Sequence, residues 1–322
     1  MEFAVGFLLL AIAASSLAVY APITFSIATV FLFAGPHNWV EARYFLSRLP
    51  ARFGKYKKFF AWSFGGIAAL MIGYTALMCA LQIKAVTGTA GSALLGLWNT
   101  LFVLWIVRLI VLSGKWQTDR DRGLALPFGL LAISFALAFP AWFGLSLVYL
   151  HPFIGCWILD RELQRSRPQW RPTYHLCLLS IPLFLVAIWW SLHGACATVQ
   201  SSDVLAMQIT RHAGAQVIPA TSSHLLVATH TFLEMVHYGV WLVAIPLVSA
   251  GWKNWHPGSI PIAHRSPEFK RLVPAIFATS TFTVVVLWVC FALNYSVTRD
   301  VYFTLAMAHV LAEIPFLLKT IS

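Results

Sequence analysis

Apolar runs of about 18–26 residues follow one another along this chain with short connections, and that pattern constrains its fold more than any other feature. They fall near 3–20, 22–47, 59–83, 93–114, 124–142, 143–160, 176–197, 225–249, 271–294 and 301–319. As a helix, each run has the length needed to cross a bilayer's hydrocarbon core, roughly 30 Å thick. Within lipid every backbone polar group must be satisfied internally, and a helix does this inside a single run. Only 10% of the residues are charged, against about 25% in a soluble domain. The fold class expected is therefore all-α: a polytopic membrane bundle of about ten transmembrane helices. Pro22 and Pro140 stand at the two least certain breaks, and a membrane helix tolerates a proline kink, so the count ranges down to eight. Residues 1–322 are read as a single transmembrane domain.

The connections give an independent check. Arg48, Arg52, Lys55, Lys57 and Lys58 follow the second run, and Lys115, Arg120 and Arg122 the fourth. Arg161, Arg165, Arg167 and Arg171 follow the sixth, and Lys253, Arg265, Lys270 and Arg271 the eighth. Connections after odd runs hold little more than Lys84, Arg211 and Arg299. Basic residues mark the cytoplasmic side of a membrane protein, so an even number of spans with both termini in the cytoplasm is expected, in a bacterial inner membrane. The net charge of +11 is accounted for by these loops and anionic lipid headgroups, which removes the argument for nucleic acid. The first run, Phe3 to Tyr20, lacks a basic leader and reads as a retained span. The five cysteines are dispersed without a CxxC pair, so neither a disulfide framework nor a thiolate metal site is indicated. The connection 198–224 is long enough to carry a short interfacial helix.

Chemistry concentrates in the eighth run, LLVATHTFLEMVHYGVWLVAIPLVS, where His230, Glu234 and His237 stand at i, i+4 and i+7 on one helical face. Two further runs repeat part of the pattern, His37 with Glu41 and His309 with Glu313. Of the 11 acidic residues only Glu41, Glu234 and Glu313 lie well inside spans, and each has a histidine four positions before it. With 11 His among 322 residues, three such matches would arise by independent placement about once in 25,000. An intramembrane carboxylate is costly unless paired or coordinated, and so marks a site. A single His–Glu pair can simply bond to itself within one helix; three in one chain, joined by His151 before Pro152, favour a shared site.

All five of these histidines, His37, His151, His230, His237 and His309, belong to even-numbered spans, which run in one direction and place them near mid-membrane. The expectation is a metal site formed by spans 2, 6, 8 and 10, with His37, Glu41, His151, His230, Glu234, His237, His309 and Glu313 as ligands. These are enough for two metal ions. Mixed imidazole and carboxylate donors suit non-haem iron, zinc or manganese, and Glu234-x-x-His237 has the spacing used on a helix by di-iron bundles. One of Glu41, Glu234 and Glu313 can serve instead as a general base. Asn38, Asn99 and Tyr238 are candidates to orient the ligands, and Arg108 to pair with a site carboxylate or a headgroup. Trp39, Phe232 and Trp241 read as core packing before cavity lining. His175, His193, His212, His224, His256 and His264 lie toward the membrane surfaces and read as solvated or interfacial.

Gly35-Pro36-His37-Asn38-Trp39-Val40-Glu41 resembles the Gly-x-Pro-His-Gly-x-x-Asp motif of the bacterial membrane β-carotene 15,15′-dioxygenase (Brp/Blh-like) family. Asn38 stands in place of the motif's second glycine and Glu41 in place of its aspartate. The resemblance covers about a tenth of the chain and implies an iron site acting on a lipophilic molecule, with His230, Glu234 and His237 corresponding to the family's later histidine cluster.

The function expected is a membrane-embedded non-haem metalloenzyme, with iron, that oxidises or cleaves a lipid or isoprenoid substrate and draws on an electron-donor protein. Two alternatives remain open: a divalent zinc or iron transporter, since His37-Asn38-x-x-Glu41 is similar to a motif of zinc/iron permeases, and a zinc-dependent lipid hydrolase. Paired axial histidines on a haem would leave the three glutamates unexplained.

Overall fold

The structure, a computed structural model, describes residues 2–50, 53–113, 119–195, 203–249 and 256–320. The described residues form helices and turns and no strand. The long helices are α1 (Glu2–Tyr20), α2 (Pro22–Arg48), α3 (Lys57–Gln82), α4 (Gly88–Leu112), α5 (Asp119–Ala138), α6 (Pro140–Ser166) and α7 (Arg171–Leu192). They are followed by a short α8 (Val204–His212), α9 (Ser223–Gly239) continuing into α10 (Ile245–Val248), α11 (Pro267–Leu293) and α12 (Tyr295–Thr320). Eight of these rods are both long and apolar enough to cross a bilayer, namely α1, α3, α4, α6, α7, α9 with α10, α11 and α12. α2 is 27 residues long but carries His37, Asn38, Glu41, Arg43 and Arg48, while the apolar stretch of α5 is confined to Pro127–Ala138. The chain is an all-α, polytopic integral membrane protein. Both uncertain proline breaks are real: α1 ends at Tyr20 before Pro22, and α5 ends before Pro140, which opens α6.

Where the pattern of apolar runs indicates one domain, contacts divide the chain into two compact units, Met1–Leu49 with Val148–Thr298, and Pro50–Leu147 with Arg299–Ser322. The first unit is built round α9. Apolar residues on every side of this helix, rather than along one stripe, call for a central position, and 72% of the α9–α10 span is buried against 11% of α11. α1, α2 and α7 pack against α9, and α11 packs against α2. Lipid tails are as apolar as leucine, so close fit rather than hydrophobicity holds such helices together. Glycines supply that fit: Gly239 of α9 lies against Leu10 of α1, and a Cβ on Gly35 of α2 would come within 3.1 Å of Val284 on α11. Trp39 Nε1 donates to Thr281 Oγ1 (3.1 Å), and Trp288 Nε1 to the Phe31 carbonyl (2.9 Å), fixing α11 to α2.

Helix directions follow from neighbouring pairs. Along α2 and α9, His37 lies beside His237, then Tyr44 beside Trp241; along α6 and α9, Tyr149 lies beside His230, then His151 beside His237. α2, α6 and α9 therefore run in the same direction, as their even-numbered places require. Phe3 and Phe7 of α1 meet Trp170 and Tyr174 in the same order, so α1 and α7 also run together. At the basic end of this unit Tyr44 and Arg48 of α2 donate to Glu162 of α6. Arg171 of α7 donates twice to Asp160 (2.8 and 2.9 Å), joined by His175. Asp160 and Glu162 are thus consumed in local ion pairs, as their place at the span's end suggests.

The second unit packs α4 against α3 and α5. Trp98 and Trp105 of α4 donate their indole N–H groups to the carbonyls of Leu70 and Trp62 on α3, each at 2.9 Å. Arg108 is exposed and stacks over Trp62 at 5.2 Å, and Asn99 donates to the Pro140 carbonyl. These contacts are with groups of the second unit, and the exposed position of Arg108 is compatible with the headgroup contact expected for it. α12 from Arg299 onward also belongs here.

Candidate functional site

α2 delivers two of the expected ligands, His37 and Glu41, one turn apart and directly after Pro36. Proline has no N–H to donate and its ring crowds the carbonyl a turn earlier, so the ladder is locally open there. His37 Nδ1 lies 3.1 Å from the Phe33 carbonyl. A carbonyl can only accept, so Nδ1 carries the proton and Nε2 keeps its lone pair. His237 makes a longer and weaker contact of this kind across helices, with Nδ1 3.5 Å from the carbonyl of Pro152 on α6. Metal-binding imidazoles characteristically anchor their second nitrogen in this way, which fixes tautomer and ring direction. The Nε2 atoms of both residues are buried.

These two imidazoles and the Glu41 carboxylate converge. His37, Glu41 and His237 each offer a ligand atom within 4.8 Å of the others', and all three residues are almost wholly buried. His151 of α6 stands beside His237, ring centroids 4.5 Å apart, and Tyr238 covers His37 at 4.4 Å. α6 reaches this close because Gly155 has no side chain: a Cβ there would lie 3.0 Å from His237 Nδ1 and 3.2 Å from Trp241 Nε1. Just beyond His237, Val240–Ala244 forms a π-helical turn in which the Ile245 N–H reaches back to the Val240 carbonyl. Pro246 in the next turn cannot donate, which loosens the ladder upstream, and such turns are frequent at functional sites. Trp241, buried completely, packs edge-on against Tyr44 and Phe45. Together they form an aromatic floor between the cluster and the ionic pairs of Glu162.

His230 and Glu234, although on the same helix, belong elsewhere. Their nearest ligand atoms are 3.5 Å apart, and the third member of their group is His212 of α8, again within 4.8 Å. His230 and His237 are seven residues apart, which puts these two histidines about 10 Å apart along α9, with Glu234 between them. The expectation that all these side chains meet at one depth is therefore replaced, within this unit, by two clusters at two levels. Glu234 joins His230, not His237, so the Glu-x-x-His spacing does not mark a bridged metal pair, in which the ions would be about 4 Å apart.

His212 is the residue that sequence reasoning passes over. Its signal was present but weak: α8 is short and amphipathic, and Asp203 caps it by accepting from the Ala206 N–H at 2.9 Å. Ile209 and Ala213 bury themselves against Leu226 and Val227 of α9, which turns His212 toward His230 at 5.1 Å between ring centroids. Among the other histidines set aside, His175 bonds Asp160 and His193 stacks on Trp189. Phe232 and Trp241 are core, as expected, and Trp39 is held by Thr281. His309 and Glu313 lie one turn apart on α12 in the second unit, with Glu313 fully buried. Among the described cysteines, Cys156 and Cys177 are buried thiols and Cys79 is exposed, with no disulfide among them; Cys196 lies outside the described residues.

No protein-family model, curated protein or solved structure matches this chain.

Proposed function

We propose that the protein is a membrane-embedded non-haem metalloenzyme whose catalytic ion is held by His37, Glu41 and His237, with His151 beside His237. The observation that carries this reading is the convergence of two imidazoles, His37 anchored through Nδ1, with one carboxylate in a buried site near mid-helix. Two histidines and one carboxylate with open positions form the donor set used by non-haem ferrous oxygenases. Iron bound there supplies one-electron chemistry for oxidising or cleaving an unactivated lipophilic molecule. The chain's own residues do the rest. Tyr238 and the floor of Trp241, Tyr44 and Phe45 keep water from the ligands, and surrounding apolar helices admit a lipid or isoprenoid rather than a polar substrate. The resemblance of Pro36-His37 with Glu41 to the motif of the membrane carotene dioxygenases supports the same class of substrate. Basic residues at the ends of α2 and α6 support a bacterial inner membrane with both termini cytoplasmic. An electron-donor protein would dock on that basic end.

A second reading, a divalent-metal transporter, is favoured by one observation: two His/Glu clusters lie in series along a buried, membrane-length helix. Metal analysis with an optical spectrum separates the readings. For the detergent-purified protein we expect stoichiometric iron, no Soret band, and loss of that iron in His37→Ala. Zinc instead, with uptake of zinc by liposomes containing the protein, would replace the enzyme with a transporter. Zinc without uptake would point to hydrolysis of a lipid ester or amide. A Soret band, or no bound metal under gentle preparation, would overturn the non-haem assignment.

A further inference from the structure

We infer that His212, His230 and Glu234 form a second, separate binding site for a divalent transition-metal ion, completed by His212 of α8. This does not rest on the reaction proposed for the deeper cluster, with which it shares no residue. Three observations carry it. The first is donor geometry. Ligands of a tetrahedral ion bound at about 2.0–2.2 Å stand about 3.3–3.6 Å from one another. His230 Nδ1 and Glu234 Oε2 are 3.5 Å apart, long for a hydrogen bond but matched to two ligands of one ion. The third donor, from His212, lies within 4.8 Å of both, so closing the set takes an adjustment of about 1 Å in one side chain.

The second is that the scaffold is built before any ion arrives. Asp203 caps the start of α8, and Gln208 in its middle accepts from Ser296 Oγ at 2.6 Å. At its end the Tyr149 hydroxyl lies 3.0 Å from the Ala213 carbonyl and 3.2 Å from the Leu226 carbonyl, tying α8 to both α6 and α9. His212 is thereby held next to His230 by contacts on both sides of it in sequence. The third is position. His230 and Glu234 are buried while His212 is half-exposed, so this site opens toward the surface beside α8, whereas His37, Glu41 and His237 are all buried. Two imidazoles and a carboxylate without thiolate select zinc, cobalt, iron or manganese over calcium, magnesium or cuprous ion.

The test is titration of the full-length, detergent-purified apoprotein with Co2+, read by visible absorption and by bound metal after gel filtration. Wild type is expected to take up two equivalents. His212→Ala and Glu234→Gln should each take up one, and His237→Ala should retain the equivalent that His212→Ala loses. His212→Gln keeps the packing volume of α8 and, with an unchanged elution volume and melting temperature, should show the same loss, so misfolding is not mistaken for lost ligation. Wild-type stoichiometry in either His212 variant would overturn the site, as would a wild type whose only bound Co2+ disappears in His237→Ala. Loss of one equivalent in His212→Ala but none in His237→Ala would leave this site standing and remove the deeper one.

Discussion

The two clusters along α9 use the same residue types but are built by different routes. The deeper cluster draws on three long helices running in the same direction, α2, α6 and α9, and is closed by glycine contacts and an aromatic floor. The outer cluster has both its α9 members on adjacent turns and takes its third from α8, a nine-residue helix. Membrane-length helices packed along their whole length hold a side chain firmly; a short capped helix depends on a few hydrogen bonds and one apolar contact. The deeper site should therefore be the more rigid and selective, and the outer one the more readily exchanged.

Four substitutions sharpen that contrast. His237→Ala removes a proposed ligand and its contact with Pro152, and should weaken metal binding at the deeper cluster on the order of 100-fold or more, beyond what loss of a supporting group costs. The outer equivalent should remain, as equilibrium dialysis against a metal buffer will show. Gly155→Ala places a methyl against His237 and Trp241. Overpacking at such a contact costs about 1–3 kcal/mol, expected as a lower melting temperature with weaker deeper-site binding and unchanged outer-site affinity. If both sites weaken equally, α6 governs the whole unit rather than one cluster. Tyr149→Phe deletes the hydroxyl that ties α8 to α9. About 1 kcal/mol should be lost, and metal should exchange from the outer site several-fold faster in a stopped-flow chelator assay, with the deeper site unmoved. Asp203→Ala removes the cap of α8, also worth about 1 kcal/mol. Because the cap lies two turns from His212, its effect on outer-site exchange should be the smallest of the four. An Asp203 effect larger than that of Tyr149 would mean that α8 moves as a unit hinged at its start.

Much of this architecture can be read without coordinates. The even-span histidines share a direction because basic loops and helix count together dictate it, and α2, α6 and α9 do run in the same sense. The His37–Glu41 and His230–Glu234 pairs stand on single helical faces because 3.6 residues per turn leaves no other arrangement. Even α8 was foreseeable as a short helix in the 198–224 connection. Boundaries were less so: α6 continues through Asp160 and Glu162 to Ser166 because those charges find partners on α2 and α7 and need not terminate the helix.

What the sequence determined alone is the class of molecule and the identity of its unusual residues. Apolar runs of membrane length must become helices, and carboxylates cannot stand inside them without a reason. Tertiary structure decided how those residues are shared out. Glu234 goes with His230 and His212 because α8 docks at that level of α9. His237 goes with His37, Glu41 and His151 because Gly155 lets α6 approach at the next level. Partnership across helices depends on which backbones can come close, and that is set by packing of small residues and short connecting elements, for which spacing along one helix carries no information.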